Sequence, residues 1–199
     1  IKWDDVLDAD LIFITIFTFN ANRGYELAAY IKKNSRAKVV FGGLHATLNG
    51  EEAVQHGDYV LQGEGDETIL PFVRVLEGDG DMTDIPGILY QTDGRTVSTG
   101  RPRPPQQIET IPARQLLYTI WPQVHASRGC PHSCDYCALV AAFGRGVRLR
   151  APETVVEDIR QAIAFFDTGH RRLAKVLWIT DDNFFADRDW AVQVLQAII

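Results

Sequence analysis

The chain is poor in sulfur. Its 199 residues include one methionine and three cysteines, and no cysteine precedes Cys130. An odd set of three, in a chain that is not small, makes a disulfide framework the weakest reading. Long apolar runs are also missing. The longest, Leu11-Ile-Phe-Ile-Thr-Ile-Phe-Thr-Phe19, falls well short of the roughly 20 residues a membrane-spanning helix needs, and it reads as a buried parallel strand. Positive charge is in deficit: 20 Lys and Arg against 26 Asp and Glu give a net charge of -6, which offers no footprint for nucleic acid. No targeting segment is visible at Ile1, and no helix-stop signal closes the apolar periodic stretch Trp190–Ile199. We expect a piece of a longer protein. The composition, 46% hydrophobic and 23% charged, is that of a soluble globular chain with room for one or two cores.

The cysteines that are present are concentrated. Cys130, Cys134 and Cys137 share the stretch Cys-Pro-His-Ser-Cys-Asp-Tyr-Cys. Three thiolates on one loop suit three corners of a four-iron, four-sulfur cube, with the fourth iron left open to a small molecule. Structural zinc is the competing reading. It wants four ligands and would have to recruit His132 or His125. Reduced thiols and an exposed cluster point to a cytoplasmic setting with little oxygen.

The first part of the chain alternates strand and helix. We expect strands at Leu11–Thr18, Lys38–Phe41 and Tyr59–Gln62. Helices are expected at Arg23–Lys33 (with Leu27, Tyr30 and Ile31 inward), Glu51–His56 and Glu67–Leu76. Strands followed by crossover helices imply a parallel, doubly wound sheet. Glycines at the strand ends fit a ligand crevice at its carboxyl edge. Around Asp93-Gly94, Ile88–Gln91 and Arg95–Ser98 read as a hairpin, and Arg101-Pro-Arg-Pro-Pro105 as an extended, solvated linker. A second αβ series follows. Its strands are expected at Gln123–Ser127, from which the cysteine loop leaves, and at Lys175–Thr180. Between them lies a helix from Pro152 to about Phe166, with Val155, Val156, Ile159, Ile163 and Phe166 on one stripe and Gly169 ending it. The fold class is thus α/β, divided as residues 1–85, a hairpin and linker at 86–121, and a barrel-like portion at 122–199.

Ser127-Arg-Gly-Cys-Pro-His-Ser-Cys-Asp-Tyr-Cys137, leaving a first strand, resembles the cluster loop of the radical S-adenosylmethionine superfamily. Val39-Val-Phe-Gly-Gly-Leu-His-Ala-Thr47 and Asp58-Tyr-Val-Leu-Gln-Gly-Glu-Gly-Asp-Glu67 resemble the second half of a cobalamin-binding domain. Together, in that order, they resemble the cobalamin-binding-domain radical S-adenosylmethionine enzymes. The resemblance implies a partial doubly wound, Rossmann-like domain followed by the start of a (β/α) barrel. It implies a cluster on Cys130, Cys134 and Cys137. The open iron would chelate S-adenosylmethionine, and one electron would cleave that cofactor to methionine and a 5′-deoxyadenosyl radical. Tyr136 would pack near the adenine, or be an ordinary packing aromatic. Asp181 and Asp182, at the end of the second barrel strand, would face the ammonium of S-adenosylmethionine, or cap the turn that follows. Arg148 and Arg150 would meet a carboxylate or the cluster's charge, or be ion-paired or solvated.

For cobalamin, the implied positions are Thr15, then Gly42, Gly43 and His45, then Gly63, Glu64 and Gly65. The competing readings are ordinary strand-to-helix glycines and a structural histidine. The Asp-x-His-x-x-Gly motif that supplies a cobalt ligand in some cobalamin families does not occur in this stretch. By the resemblance, its place lies ahead of Ile1. Two strand–helix units of the barrel are legible, where a complete one has about six to eight. The implied partners are a small-molecule substrate and a low-potential electron donor of the flavodoxin or ferredoxin type. The implied reaction is methylation, cyclisation or rearrangement at an unreactive carbon. Two alternatives stand. One is a methylthiotransferase, which Gly146-Val-Arg-Leu-Arg-Ala-Pro-Glu153 also resembles, though that family carries a second cysteine set absent before Cys130. The other is a non-catalytic zinc- or cobalamin-binding module.

Overall fold

The structure, a computed structural model, describes residues 3–105, 107–114, 122–167 and 176–199, without the side chains of Phe166 and Asp167. The chain divides into two compact units, Ile1–Pro105 and Gln106–Ile199.

The first unit runs α1 (Trp3–Leu7), β1 (Leu11–Thr15), α2 (Ala21–Asn34), β2 (Lys38–Gly42), α3 (Leu44–Leu48), α4 (Gly50–Ala53), β3 (Tyr59–Leu61), α5 (Ile69–Leu76), β4 (Ile88–Thr92) and β5 (Arg95–Ser98). All five strands form one sheet in chain order. β1, β2 and β3 are parallel, with Phe13 opposite Val40 and Phe41 opposite Val60. β4 then pairs antiparallel to β3, and β5 antiparallel to β4. The hairpin is therefore the edge of the sheet. It does not group with the linker, as the sequence reading had it. Its Asp93-Gly94 turn takes φ of 50° and 72°, which suits the twist of a tight hairpin.

Period-two alternation sorts the strand residues into two cores. On one face Ile12, Ile14, Val39, Phe41, Val60 and Leu89 pack against α2, α3 and α4. On the other, Val40, Leu61 and Ile88 pack with Phe72 of α5. Helices on both faces are the doubly wound arrangement that the sequence implies. The phase of α2 differs from expectation: Ala21, Gly24, Tyr25, Ala28 and Ile31 are buried, Leu27 packs at the margin of the core, and Tyr30 is 49% exposed. The β1 strand ends at Thr15, not Thr18. Asn20 Oδ1 accepts the Phe17 N–H at 2.8 Å, and this local bond turns the chain out of the strand. The single helix expected at Glu51–His56 is instead the pair α3 and α4.

Tyr25 ties three elements together. Its hydroxyl donates to Glu52 at 3.1 Å and contacts His45 Nε2 at 3.1 Å. Its ring stacks on His56 with centroids 3.9 Å apart. Burial first, then the hydrogen bond and charge of Glu52, push its phenol up from 10.0 to about 12. A folded value above the unfolded one means the neutral phenol stabilises the fold fully below pH 10 and stops doing so between about pH 10 and 12. In an alkaline titration of tyrosinate absorbance, Tyr25→Phe is expected to remove a step near pH 12. An unchanged titration curve would refute the assignment.

The second unit runs β6 (Gln123–Val124), β7 (Ser127–Arg128), α6 (Ala138–Phe143), β8 (Arg148–Leu149), α7 (Pro152–Asp167), β9 (Trp178–Ile179) and α8 (Arg188–Ile198). The strand expected at Gln123–Ser127 is broken in two. β6 pairs parallel with β9, whereas β7 pairs antiparallel with β8. The parallel β6–β9 pair, with α7 between them in sequence, is the strand–helix–strand kind of unit from which αβ barrels are built. Of the strand expected at Lys175–Thr180, only Trp178–Ile179 is paired; Lys175 and Gly169 lie outside the described residues. The core consists of Val124, Ala126, Val155, Ile159, Ala162, Trp190, Ala191 and Val194. The inward stripe of α7 is thus 155, 159 and 162, while Ile163 is 47% exposed. α8 begins at Asp187, whose side chain accepts the Trp190 N–H at 2.9 Å, an N-cap of the usual kind. Among the described residues, no helix is long and apolar enough to cross a membrane.

Candidate functional site

In the first unit, the carboxyl ends of β1, β2 and β3 are joined by a small set of hydrogen bonds. The Ile16 N–H donates to the Gly42 carbonyl at 2.9 Å, and the His45 N–H to the Ile16 carbonyl at 3.1 Å. Thr47 Oγ1 donates to the Gly43 carbonyl and accepts the Gly63 N–H, both at 2.9 Å. Gln62 Nε2 donates to the Thr47 carbonyl at 3.0 Å. Gly43 opens α3 with φ of 91°. A Cβ there would lie 2.8 Å from both the Ile16 carbonyl oxygen and Thr15 Cγ2, so only glycine allows β1 and β2 to close up at this edge.

The structure therefore brings Thr15, Gly42, Gly43 and Gly63 to one sheet edge, with Glu64 and Gly65 directly beyond. His45 is on the same loop but is turned inward. It is 6% exposed, with Thr18 Oγ1 3.1 Å from Nδ1 and Tyr25 Oη 3.1 Å from Nε2. A proton on Nε2 satisfies both, because Tyr25 already donates to Glu52. This is the structural histidine of the two readings. Thr47 joins the ends of β2 and β3, a role the sequence reading does not assign; a hydroxyl that bonds across two loops has no mark in sequence. Phe17 and Phe19 stand at this edge. Their rings stack at 5.7 Å and 10°, and they are 43% and 87% exposed. The Arg-Pro-Arg-Pro-Pro segment is only partly a solvated spacer. Arg101 and Arg103 are exposed, but Pro102 lies against Gly63 and Gly87.

In the second unit, the cysteine loop is held at both ends. At its start, Asp182 Oδ2 accepts the Gly129 N–H at 2.8 Å, and Asn183 Nδ2 approaches Cys130 Sγ at 3.8 Å. One residue earlier, Asp181 accepts from the Ala126 N–H at 2.7 Å and from Ser127 Oγ at 2.6 Å. At the far end, Cys137 precedes α6, and its N–H donates to the Cys134 carbonyl at 3.0 Å. The Asp-Asp-Asn loop after β9 thus clamps the segment that breaks between β6 and β7. Asp181 and Asp182 spend their carboxylates on Ala126, Ser127 and Gly129, more than 50 residues upstream, and not on the turn that follows them.

All three cysteines are free, Cys130 half-buried and Cys134 and Cys137 exposed. Tyr136 is 90% exposed. Its phenol is raised by the hydrogen bond and charge of Cys134, with a smaller contribution from Cys137. As a donor set, three accessible thiols on one anchored loop fit an iron–sulfur cluster. Among the described residues, no three His, Cys, Asp or Glu side chains are drawn together as a metal site. The loop presents the sulfurs without gathering them. Arg150 is the ion-paired residue of the readings offered: it is buried and paired with Asp158 at 2.6 Å. The short helix α6 after the third cysteine was not expected from the sequence.

Residues 5–72 match the family model described as the B12 binding domain. The fold of 98% of the chain matches that of TsrM, a radical S-adenosylmethionine methyltransferase from Kitasatospora setae, with TM-score 0.72 and 17% identity. It also matches that of OxsB, a cobalamin-dependent S-adenosylmethionine radical enzyme, with TM-score 0.77 and 15% identity over 98% of the chain. The chain is thus similar, in its B12-binding portion and in overall fold, to cobalamin-dependent radical S-adenosylmethionine enzymes. Among curated proteins, it is 29% identical over 88% of its length to bacteriochlorophyllide d C-8(2)-methyltransferase of Chlorobaculum tepidum. It is 28% identical over 84% of its length to the anaerobic magnesium-protoporphyrin IX monomethyl ester cyclase of Rubrivivax gelatinosus. The chain spans 38% and 34% of those two proteins, 42% of TsrM and 29% of OxsB. The proteins it is similar to thus include both methyltransferases and cyclases.

Proposed function

We propose that this chain is the cofactor-binding part of an enzyme that joins cobalamin to a radical-generating iron–sulfur cluster, acting on a small molecule. The observation that carries the reading is the cysteine loop: three free thiols, accessible to a metal, on a segment fixed by Asp181 and Asp182. Cys130, Cys134 and Cys137 would hold a four-iron cluster, and the loop would tighten around it. Bound there, the cluster would supply one electron to S-adenosylmethionine and so give access to carbon-radical chemistry. The role of Asp181 and Asp182 in this reading is to position the loop. Tyr136, exposed beside Cys134 and Cys137, would offer its ring to the adenine.

For cobalamin, the support is the matched family model together with the sheet edge. Thr15, Gly42, Gly43, Gly63, Glu64 and Gly65 would line the ligand crevice, and the stacked pair Phe17–Phe19 would offer a flat apolar surface. His45 is spent on Tyr25 and Thr18 and would not ligate cobalt. Methylation and cyclisation are both open to this site, and the electron would come from a flavodoxin- or ferredoxin-type donor.

The test is anaerobic reconstitution of this chain with iron and sulfide, followed by titration with hydroxocobalamin. About four irons with matching sulfide and a saturable change in the cobalamin spectrum are expected. Stoichiometric zinc with no iron would sink the cluster assignment. Absence of both spectral change and co-elution, in this chain and in any longer form of it, would sink the cobalamin assignment.

A further inference from the structure

The second unit buries more positive charge than it neutralises. Arg114, Arg150 and Asp158 are 6%, 4% and 1% exposed. Each oxygen of Asp158 accepts from one guanidinium, Oδ2 from Arg150 Nη1 at 2.6 Å and Oδ1 from Arg114 Nη2. The same two nitrogens also donate to backbone carbonyls, Arg150 Nη1 to His125 at 2.7 Å and Arg114 Nη2 to Gln123 at 3.4 Å. Neither guanidinium can shed its proton. One carboxylate against two fixed cations leaves a buried charge of plus one.

The remaining donors point the same way. Arg150 Nε, Arg150 Nη2 and Arg114 Nη1 are buried and have no hydrogen-bond partner among the described residues. Leaving a buried donor unmade costs about 1–3 kcal/mol, and more where the group is charged. Both side chains wall a cavity of about 110 Å³, whose other walls include Thr110, Gln123, His125 and Arg128. That is several times the space one water occupies. Water would satisfy donors but not the charge. Asp158 is the sole acid among the lining residues.

We propose that this cavity is a binding site for a small oxyanion, a carboxylate or a phosphate group. Nε and Nη2 form one edge of the Arg150 guanidinium, and two parallel donors on one edge match two oxygens of such an anion. Arg114 Nη1 is the third donor. The anion completes the neutralisation that Asp158 begins. The site lies wholly within the second unit and does not depend on the cluster or on cobalamin.

Arginine side-chain NMR on the nitrogen-15-labelled chain tests this, with titrations of sodium phosphate, sodium acetate and sodium chloride at constant ionic strength. The Arg150 Nε–H signal, identified by its loss in Arg150→Lys, is expected to shift saturably with phosphate or acetate and not with chloride. Preference for phosphate would mark a phosphate ligand, and preference for acetate a carboxylate ligand. Arg114→Lys keeps the reporter and is expected to weaken binding at least tenfold, so the test survives even if Arg150→Lys fails to fold. A signal unmoved by both oxyanions, moved equally by chloride, or equally responsive in Arg114→Lys would overturn the proposal.

Discussion

Replacing Cys134 with alanine is expected to reduce reconstituted iron at least tenfold while leaving the fold intact. Cys134 is exposed and its side chain belongs to none of the cores, so removing its sulfur opens no cavity and costs little stability. Its loss does remove one of three thiolates, and on the proposed reading no other residue of the chain can replace it: the only other cysteines are Cys130 and Cys137. The nearest histidine in sequence, His132, is a poor substitute in a cluster built on thiolate. In the complete enzyme the same change should abolish reductive cleavage of S-adenosylmethionine, measured as 5′-deoxyadenosine formed. Full iron content, or cleavage retained within a few-fold of the parent, would show that the loop is not the cluster site. The contrast with Asp181 is useful. Its carboxylate bonds Ala126 and Ser127, so its loss acts on stability first and on iron only through the displaced loop.

The alternating first unit and the cysteine spacing were legible because both are local patterns. Period-two burial in β2, with Val39 and Phe41 on one face and Val40 on the other, follows from strand geometry alone. So does the Asp93-Gly94 hairpin turn. Where the hairpin docks was not legible, since nothing in Ile88–Ser98 states that β3 is its partner. The phase of α2 went astray for a similar reason. Tyr30 is as apolar to a pattern count as Tyr25, but Tyr25 is drawn inward by Glu52 and His45, from 27 and 20 residues away. The break between β6 and β7 depends on Asp181, 55 residues from Ala126. The buried pair of Arg114 with Asp158 spans 44 residues. Long-range polar contacts of this kind shape both candidate sites, and the residues that make them carry no mark in sequence until the chain is folded.

Gly129→Ala is expected to cost the second unit about 3–5 kcal/mol, and Gly144→Ala only about 1–2 kcal/mol. Both glycines sit in the left-handed region, at φ of 89° and 79°, so both substitutions carry the backbone penalty of about 1–2 kcal/mol. They differ in surroundings. A Cβ on Gly144 meets open space, whereas one on Gly129 would overlap the carbonyl oxygen of Gly146, a backbone atom that cannot rotate away. Relief requires β7 and β8 to separate, and that strains the Ser127–Leu149 and Arg128–Arg148 register. It also pulls the Gly129 N–H from Asp182, one residue before Cys130. Hydrogen exchange is expected to show lost protection in β7 and β8 for Gly129→Ala and near-parent protection for Gly144→Ala. Iron content after reconstitution should follow the same order. Equal effects at the two positions would mean that left-handed strain alone matters, and that the contact between Gly129 and Gly146 does not set the entry of the cysteine loop.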